Sequence, residues 1–255
     1  MDEIPQDQAQ SFDAVAALYD AHRPGYPQAL FDDLMAAAAL EPQDAILELG
    51  CGSGQATQSL APYGRPILAL DPGGSLIEAA QRRLAGAPHV HFEVSTFEAW
   101  QAPSRAFGLV VSAQAFHWID PAVGFGKTAQ VLAPGGLLAV FGHLPEPAPE
   151  PLAAILQAHL PTDVRHDPPE GWYWPDAGYA QALAISGLFG PATHTAYPHG
   201  RTYDGPGLAN YLRTRSDFRA LGAERLEGLL DEVAAAVEGT LEVRWQTHLH
   251  LARRL

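Results

Sequence analysis

Two stretches of this chain gather residues whose types and spacing can do chemistry. The first is Glu48 followed by Gly50-Cys51-Gly52-Ser53-Gly54-Gln55, with Asp71-Pro72 closing the next apolar run. Glycines reach backbone angles that other residues avoid and carry no Cβ, so a turn built from them lets a ligand approach the main chain closely. A helix starting behind such a turn points free N–H groups at that ligand. A carboxylate at Asp71 can accept both hydroxyls of a ribose. The second stretch is Ser112-Ala113-Gln114-Ala115-Phe116-His117-Trp118, where His117 is a candidate general base. An alternative role for His117 is to bond cofactor or backbone and shape a pocket.

The elements around these residues explain their placement. Ala45–Leu49 and Pro66–Leu70 are short apolar runs, and Gln55–Leu60 between them has helical character. The order strand, glycine turn, helix, strand, acid is the front half of a nucleotide-binding α/β unit. Further strands are expected at His89–Val94, Phe107–Ala113 and Leu137–Gly142, with helices from Ser75 to Leu84 and from Asp120-Pro121 onward. Strict alternation of this kind argues for a parallel sheet with helices on both faces. Beyond Gly142 the pattern changes. A helix is expected at Asp176–Gly187, a strand at Ala192–Tyr203, helices at Asp204–Leu221 and Glu224–Val237, and a last strand at Leu241–Ala252.

Spacing limits the choice of nucleotide. A dinucleotide fingerprint needs a third glycine or alanine where this chain has Gln55 or, in the other frame, Thr57. The string Glu48-x-Gly50-x-Gly52-x-Gly54 instead closely resembles motif I of the class I S-adenosylmethionine (SAM) methyltransferases. Gln114-Ala115-Phe116-His117-Trp118 and Tyr19-Asp20-Ala21-His22-Arg23-Pro24-Gly25-Tyr26-Pro27 resemble, more narrowly, the trans-aconitate methyltransferase-like group. The resemblance runs from about Phe12 to Arg254. It implies a Rossmann-like α/β fold with a seven-stranded, mostly parallel sheet, helices on both faces and helical lid insertions. It also implies a single domain over 1–255, with an N-terminal lid at 1–40 and caps at 143–175 and 204–240.

The same resemblance implies SAM as cofactor. Its contacts are expected from Arg23, Glu48, Gly50, Cys51, Gly52, Gly54, Gln55, Asp71, Pro72, Thr96, Phe97, Ala113, Gln114 and His117. A small-molecule acceptor is expected beside Tyr19, His22, Tyr26, Trp172, Trp174, Tyr211 and Arg215. Transfer to an oxygen, carboxylate or hydroxyl, leads; transfer to carbon or nitrogen, and a SAM-binding protein without catalysis, are the alternatives. Two positions depart from the family pattern. Gly108 replaces a frequent aspartate, and Ser95-Thr96-Phe97-Glu98 replaces Gly-Asp-Ala-Glu, so Thr96 stands where an aspartate bonds adenine. Phe97 either packs on the adenine or fills core.

Composition sets the outer bounds. The 255 residues are 47% hydrophobic, enough for a sizeable core. A formal charge of −14 argues against nucleic acid or an anionic membrane as partner. Cys51 is the single cysteine, so no intrachain disulfide is expected, and the histidines lack a metal-site pattern. No metal is therefore expected. The first ten residues do not read as a signal peptide and no stretch reads as a membrane span, so a cytoplasmic location is expected; a monomer or homodimer is expected as well.

Overall fold

The structure is a computed structural model that describes residues 18, 21–159 and 179–255. Its helices are α1 (Gln28–Ala38), α2 (Gln55–Leu60), α3 (Gly74–Arg83), α4 (Pro121–Val131), α5 (Leu152–His159), α6 (Tyr179–Ser186), α7 (Gly205–Arg213), α8 (Ser216–Arg219) and α9 (Ala223–Ala236). Its strands are β1 (Ala45–Leu49), β2 (Ile67–Asp71), β3 (Val90–Val94), β4 (Phe107–Ala113), β5 (Leu132–Pro145), β6 (Thr193–Tyr203) and β7 (Leu241–Arg253).

The strands form one seven-stranded sheet in the order β3-β2-β1-β4-β5-β7-β6. Neighbours from β3 to β5 run parallel, whereas β7 is antiparallel to both β5 and β6. Side chains alternate across a strand, and each central strand is apolar on both faces. Ile46, Leu109 and Val111 pack with Leu30, Phe31 and Leu34 of α1 on one side. Leu47, Leu49 and Val110 pack with Phe125 of α4 and Leu183 of α6 on the other. Continuous apolar runs are what a parallel sheet covered on both faces requires. A third apolar cluster joins α5, α7 and α9 to Tyr203 and Trp245 of the sheet.

Several boundaries differ from the sequence expectations. Helix α1 is no lid: Leu30, Phe31 and Leu34 are fully buried in the main core. Strand β5 continues to Pro145, inside the stretch expected to be an insertion, because β7 pairs with it as far as Trp245. The helix expected from Asp204 to Leu221 is broken after Arg213, where Thr214 Oγ1 turns back to donate to the Tyr211 carbonyl. Asp204 caps α7 by accepting from the Gly207 N–H, and Asp120 caps α4 through Ala122. Ser75 does not cap α3, which begins one residue earlier behind Gly73. At Gly108 a Cβ would lie 2.7 Å from Leu40 Cδ2, so the missing aspartate leaves room for that leucine. Among the described residues no helix is long and apolar enough to cross a membrane.

Candidate cofactor cleft

The strand order reverses between β1 and β4, and in open α/β sheets the crevice at the carboxyl ends of such strands is where ligands bind. A cleft opens there. Glu48, Gly50, Cys51, Gly52, Gln55 and Ala56 line it from the first turn and helix. Ala113 and Gln114 close it from β4, and Arg23, Pro24 and Tyr26 from the N-terminal segment.

The three glycines of the turn have different jobs. Gly50, Gly52 and Gly54 all take positive φ, at 69°, 54° and 83°. A Cβ on Gly50 would stand 2.3 Å from Ala115 Cβ, so this glycine admits the loop after β4. A Cβ on Gly54 would meet Leu84 and Ala80 at 3.1 and 3.2 Å, so this one seats α2 against α3. That corrects the expectation that Gly54 faces the ligand. Only Gly52 of the three has open space where its Cβ would be. Gln114 also takes positive φ, 55°, although it is not a glycine, and its N–H donates to the Phe141 carbonyl at 2.7 Å. Such backbone strain concentrates where structure serves a site.

Two carboxylates sit under this turn in unlike surroundings. Asp71 Oδ2 accepts from the Gly52 N–H and Oδ1 from the Gly73 N–H, both at 2.8 Å. Glu48 is fully buried, and among the described residues neither of its oxygens has a hydrogen-bond partner. Burial, reinforced by the Asp71 charge and only partly opposed by the nearby Thr57 hydroxyl, pushes its carboxyl up to about 8. Burial likewise pushes the Cys51 thiol up, so it is no reactive thiolate.

Of the remaining expected contacts, Phe97 is core. It stacks near Trp100 with ring centroids 6.4 Å apart and lies under Lys127 Nζ at 5.1 Å. Thr96 Oγ1 accepts from the Ala99 N–H at 3.2 Å and so closes a turn. Gly54, Asp71, Pro72, Thr96, Phe97 and His117 are not among the residues lining the cleft. His117 lies on a 3-10 turn, Phe116–Trp118, with its ring 4.7 Å from that of Trp118. The residue is only partly exposed, and this burial pulls its pKa down to about 4.

The acceptor expectations fare unevenly. Tyr26 lines the cleft and stacks on His143 at 4.5 Å. Tyr211 is buried in the third cluster, where its hydroxyl accepts from Trp245 Nε1 at 3.2 Å; it is a core residue. Arg215 lays its guanidinium over Phe218 at 5.2 Å. Tyr19, Trp172 and Trp174 lie outside the described residues.

What the sequence reading missed is how the N-terminal segment is held. Arg201 donates from Nη1 to the Arg23 carbonyl and from Nη2 to the Ala21 carbonyl, both at 2.8 Å. Tyr203 donates to the His22 carbonyl at 2.8 Å, and Arg23 Nη2 to the Thr214 carbonyl at 2.9 Å. Under Tyr26, His143 Nδ1 and the Thr247 hydroxyl are 2.8 Å apart, with His199 Nε2 2.9 Å from the same hydroxyl. Burial keeps both His143 and His199 below the ordinary histidine pKa. The available signal was the i, i+2 spacing of His199, Arg201 and Tyr203, which puts them on one face of β6.

A strand order 3-2-1-4-5-7-6 with a glycine-turn cleft at the β1/β4 switch point defines a class I methyltransferase fold. Residues 47–140 match the family described as "Methyltransferase domain". An uncharacterized methyltransferase of Mycobacterium tuberculosis is 33% identical over 53% of this chain and 53% of its own length. The trans-aconitate 2-methyltransferase of Methylobacterium radiotolerans is 27% identical over 83% of this chain and 84% of that protein. A structure from Anaeromyxobacter dehalogenans, provisionally described as a type II methyltransferase, superposes with a TM-score of 0.61 at 25% identity, covering 91% of this chain and 97% of the other. The fold is that of class I methyltransferases, and a trans-aconitate 2-methyltransferase is among the proteins to which the chain is similar. It spans about half the length of the mycobacterial relative, 53%.

Proposed function

We propose that the chain transfers a methyl group from SAM to an acidic small-molecule acceptor, at a carboxylate oxygen. The observation that carries the donor assignment is Glu48. A fully buried carboxylate with two unpartnered oxygens, set beside open space at Gly52, fits the α-ammonium group of an amino-acid ligand. Asp71 fits a ribose at the same turn. When bound, SAM supplies an activated methyl carbon on a sulfonium, so the protein has mainly to align the partners and exclude water. Tyr26, Pro24 and Arg23 wall the cleft from above and serve that exclusion.

His117 favours the carboxylate acceptor over a hydroxyl. An imidazole held near pKa 4 is neutral at pH 7 but a feeble base. A carboxylate nucleophile needs no base at all. The similarity to a trans-aconitate 2-methyltransferase supports the same reading. His117 is then a positioning residue behind the pocket wall. The test is a panel of acceptors incubated with isotopically labelled methyl donor. Label in base-labile methyl esters of di- or tricarboxylic acids is expected. Label stable to base would indicate carbon or nitrogen transfer, and donor binding without label transfer to any acceptor would indicate a non-catalytic SAM-binding protein.

A further inference from the structure

Glu48 and Asp71 share one buried turn, but backbone donors serve only Asp71. Among the described residues, the groups facing Glu48 offer it no counter-charge. Asp71 at the end of β2 carries the same charge, and Cys51 on the turn stays a thiol. Thr57 on α2 is neutral, and its buried hydroxyl makes no hydrogen bond of ordinary geometry. Arg23, on the far wall of the cleft, donates to the Thr214 carbonyl. An unpaired carboxylate in such a place is costly, and protonation is the cheapest remedy.

We propose that Glu48 holds a proton in the free protein and gives it up when the α-ammonium group of the donor enters, so that cofactor binding releases one proton to solvent. The carboxylic acid and the incoming cation become a carboxylate–ammonium pair, and the proton leaves to the buffer. The proposal rests on the methyl-donor reading of the cleft. It deepens that reading by making donor affinity depend on pH at a residue remote from the acceptor. The raised carboxyl of Glu48 sets the range: affinity climbs about tenfold per pH unit below about 8 and stops climbing there, where the ligand's own ammonium begins to lose its proton.

The experiment is calorimetric titration with S-adenosylhomocysteine at pH 6.5 in two buffers of different ionisation enthalpy. At that pH an α-amino group, with a reference pKa of about 7.7–8.0, still carries its own proton. His22, His117, His143 and His199, all held below the ordinary histidine value, contribute little. Release of about one proton per ligand is expected, with affinity rising about tenfold from pH 6 to pH 7. Glu48→Gln should bind without proton release and without the pH slope. Methylthioadenosine, which lacks the amino-acid end, should release none from the wild type, and this holds the test if the variant fails to fold. Tight S-adenosylhomocysteine binding with no proton release would overturn the proton linkage and leave the donor assignment standing. Equal release from Glu48→Gln or with methylthioadenosine would also overturn it. No binding of S-adenosylhomocysteine would overturn the donor assignment itself.

Discussion

A carboxyl group whose folded pKa lies near 8 acts on stability as well as on binding. Between the ordinary glutamate value of about 4.3 and 8 the unfolded chain has lost this proton while the folded chain keeps it. Unfolding is therefore favoured as pH rises through that window, by up to about 1.4 kcal/mol per unit, and the loss ends above the folded pKa. Urea unfolding at pH 5.5 and 7.5 reads this directly. Wild type should lose about 2 kcal/mol more over that interval than Glu48→Gln; parallel curves would mean Glu48 is charged when folded. His117 gives the opposite kind of signature. Its pKa near 4 places its titration well below neutrality, so the rate should not rise through pH 6–7 on its account. His117→Ala should lower the turnover rate by a similar factor at every pH from 6 to 9. A shoulder near pH 6.5 that vanishes in His117→Ala would restore the base role.

At the scale of elements, most of the sheet was legible and the contacts that prop the cleft wall were not. Alternating strand and turn signals located β1 to β4, β6 and β7 within a residue or so, most plainly at β1 and β4, where a parallel strand buried on both faces leaves a near-continuous apolar run; β5 runs well past its expected ends. The candidate cleft followed, since the glycine turn and the end of β4 must meet once the strands are adjacent. Gly54 was misread because a packing glycine and a ligand-facing glycine look alike until α3 is placed beside the turn. Tyr211 was misread because helix spacing says which residues share a face, not whether that face meets solvent or Trp245. The support under residues 21–26 was invisible because it depends on register across β5, β7 and β6: His143 pairs with Thr247, and His199 with Trp245. That support makes a prediction. Arg201→Ala removes two charged bonds to the segment, each worth roughly 1.5–3 kcal/mol, less where solvent reaches them. Amides of residues 21–26 should exchange at least tenfold faster, and donor affinity should fall several-fold, while β1 and β4 stay protected. Tyr203→Phe removes one neutral bond and should do the same more weakly, by about 1 kcal/mol. Unchanged exchange in Arg201→Ala would show that the segment is held by other contacts.

For the whole molecule, the cleft gathers β1, the end of β4 and a segment that precedes the sheet, and Asp71 of β2 braces its glycine turn, so a ligand there couples parts of the chain far apart in sequence. The two faces of the sheet and the α5–α7–α9 cluster share strands β5, β6 and β7 or contacts to them, which argues for unfolding as one unit. Under those conditions a ligand that binds only the folded chain stabilises all of it. At a free concentration of about 100 times its dissociation constant the gain is about 2.7 kcal/mol. For a protein of this size that shifts the melting temperature by about 5–10 °C. SAM and S-adenosylhomocysteine should both produce such a shift, and NAD should not, because Gln55 and Thr57 occupy the positions where a dinucleotide turn needs glycine or alanine. The proton linkage at Glu48 sharpens the expectation. At equal S-adenosylhomocysteine concentration, in a range that does not saturate at acid pH, the shift should be larger at pH 7.5 than at pH 6, since the acidic sample must first expel the proton. A shift with NAD and none with SAM would remove the donor assignment. A SAM shift of equal size at both pH values would keep the donor and remove the coupling between its amino group and Glu48.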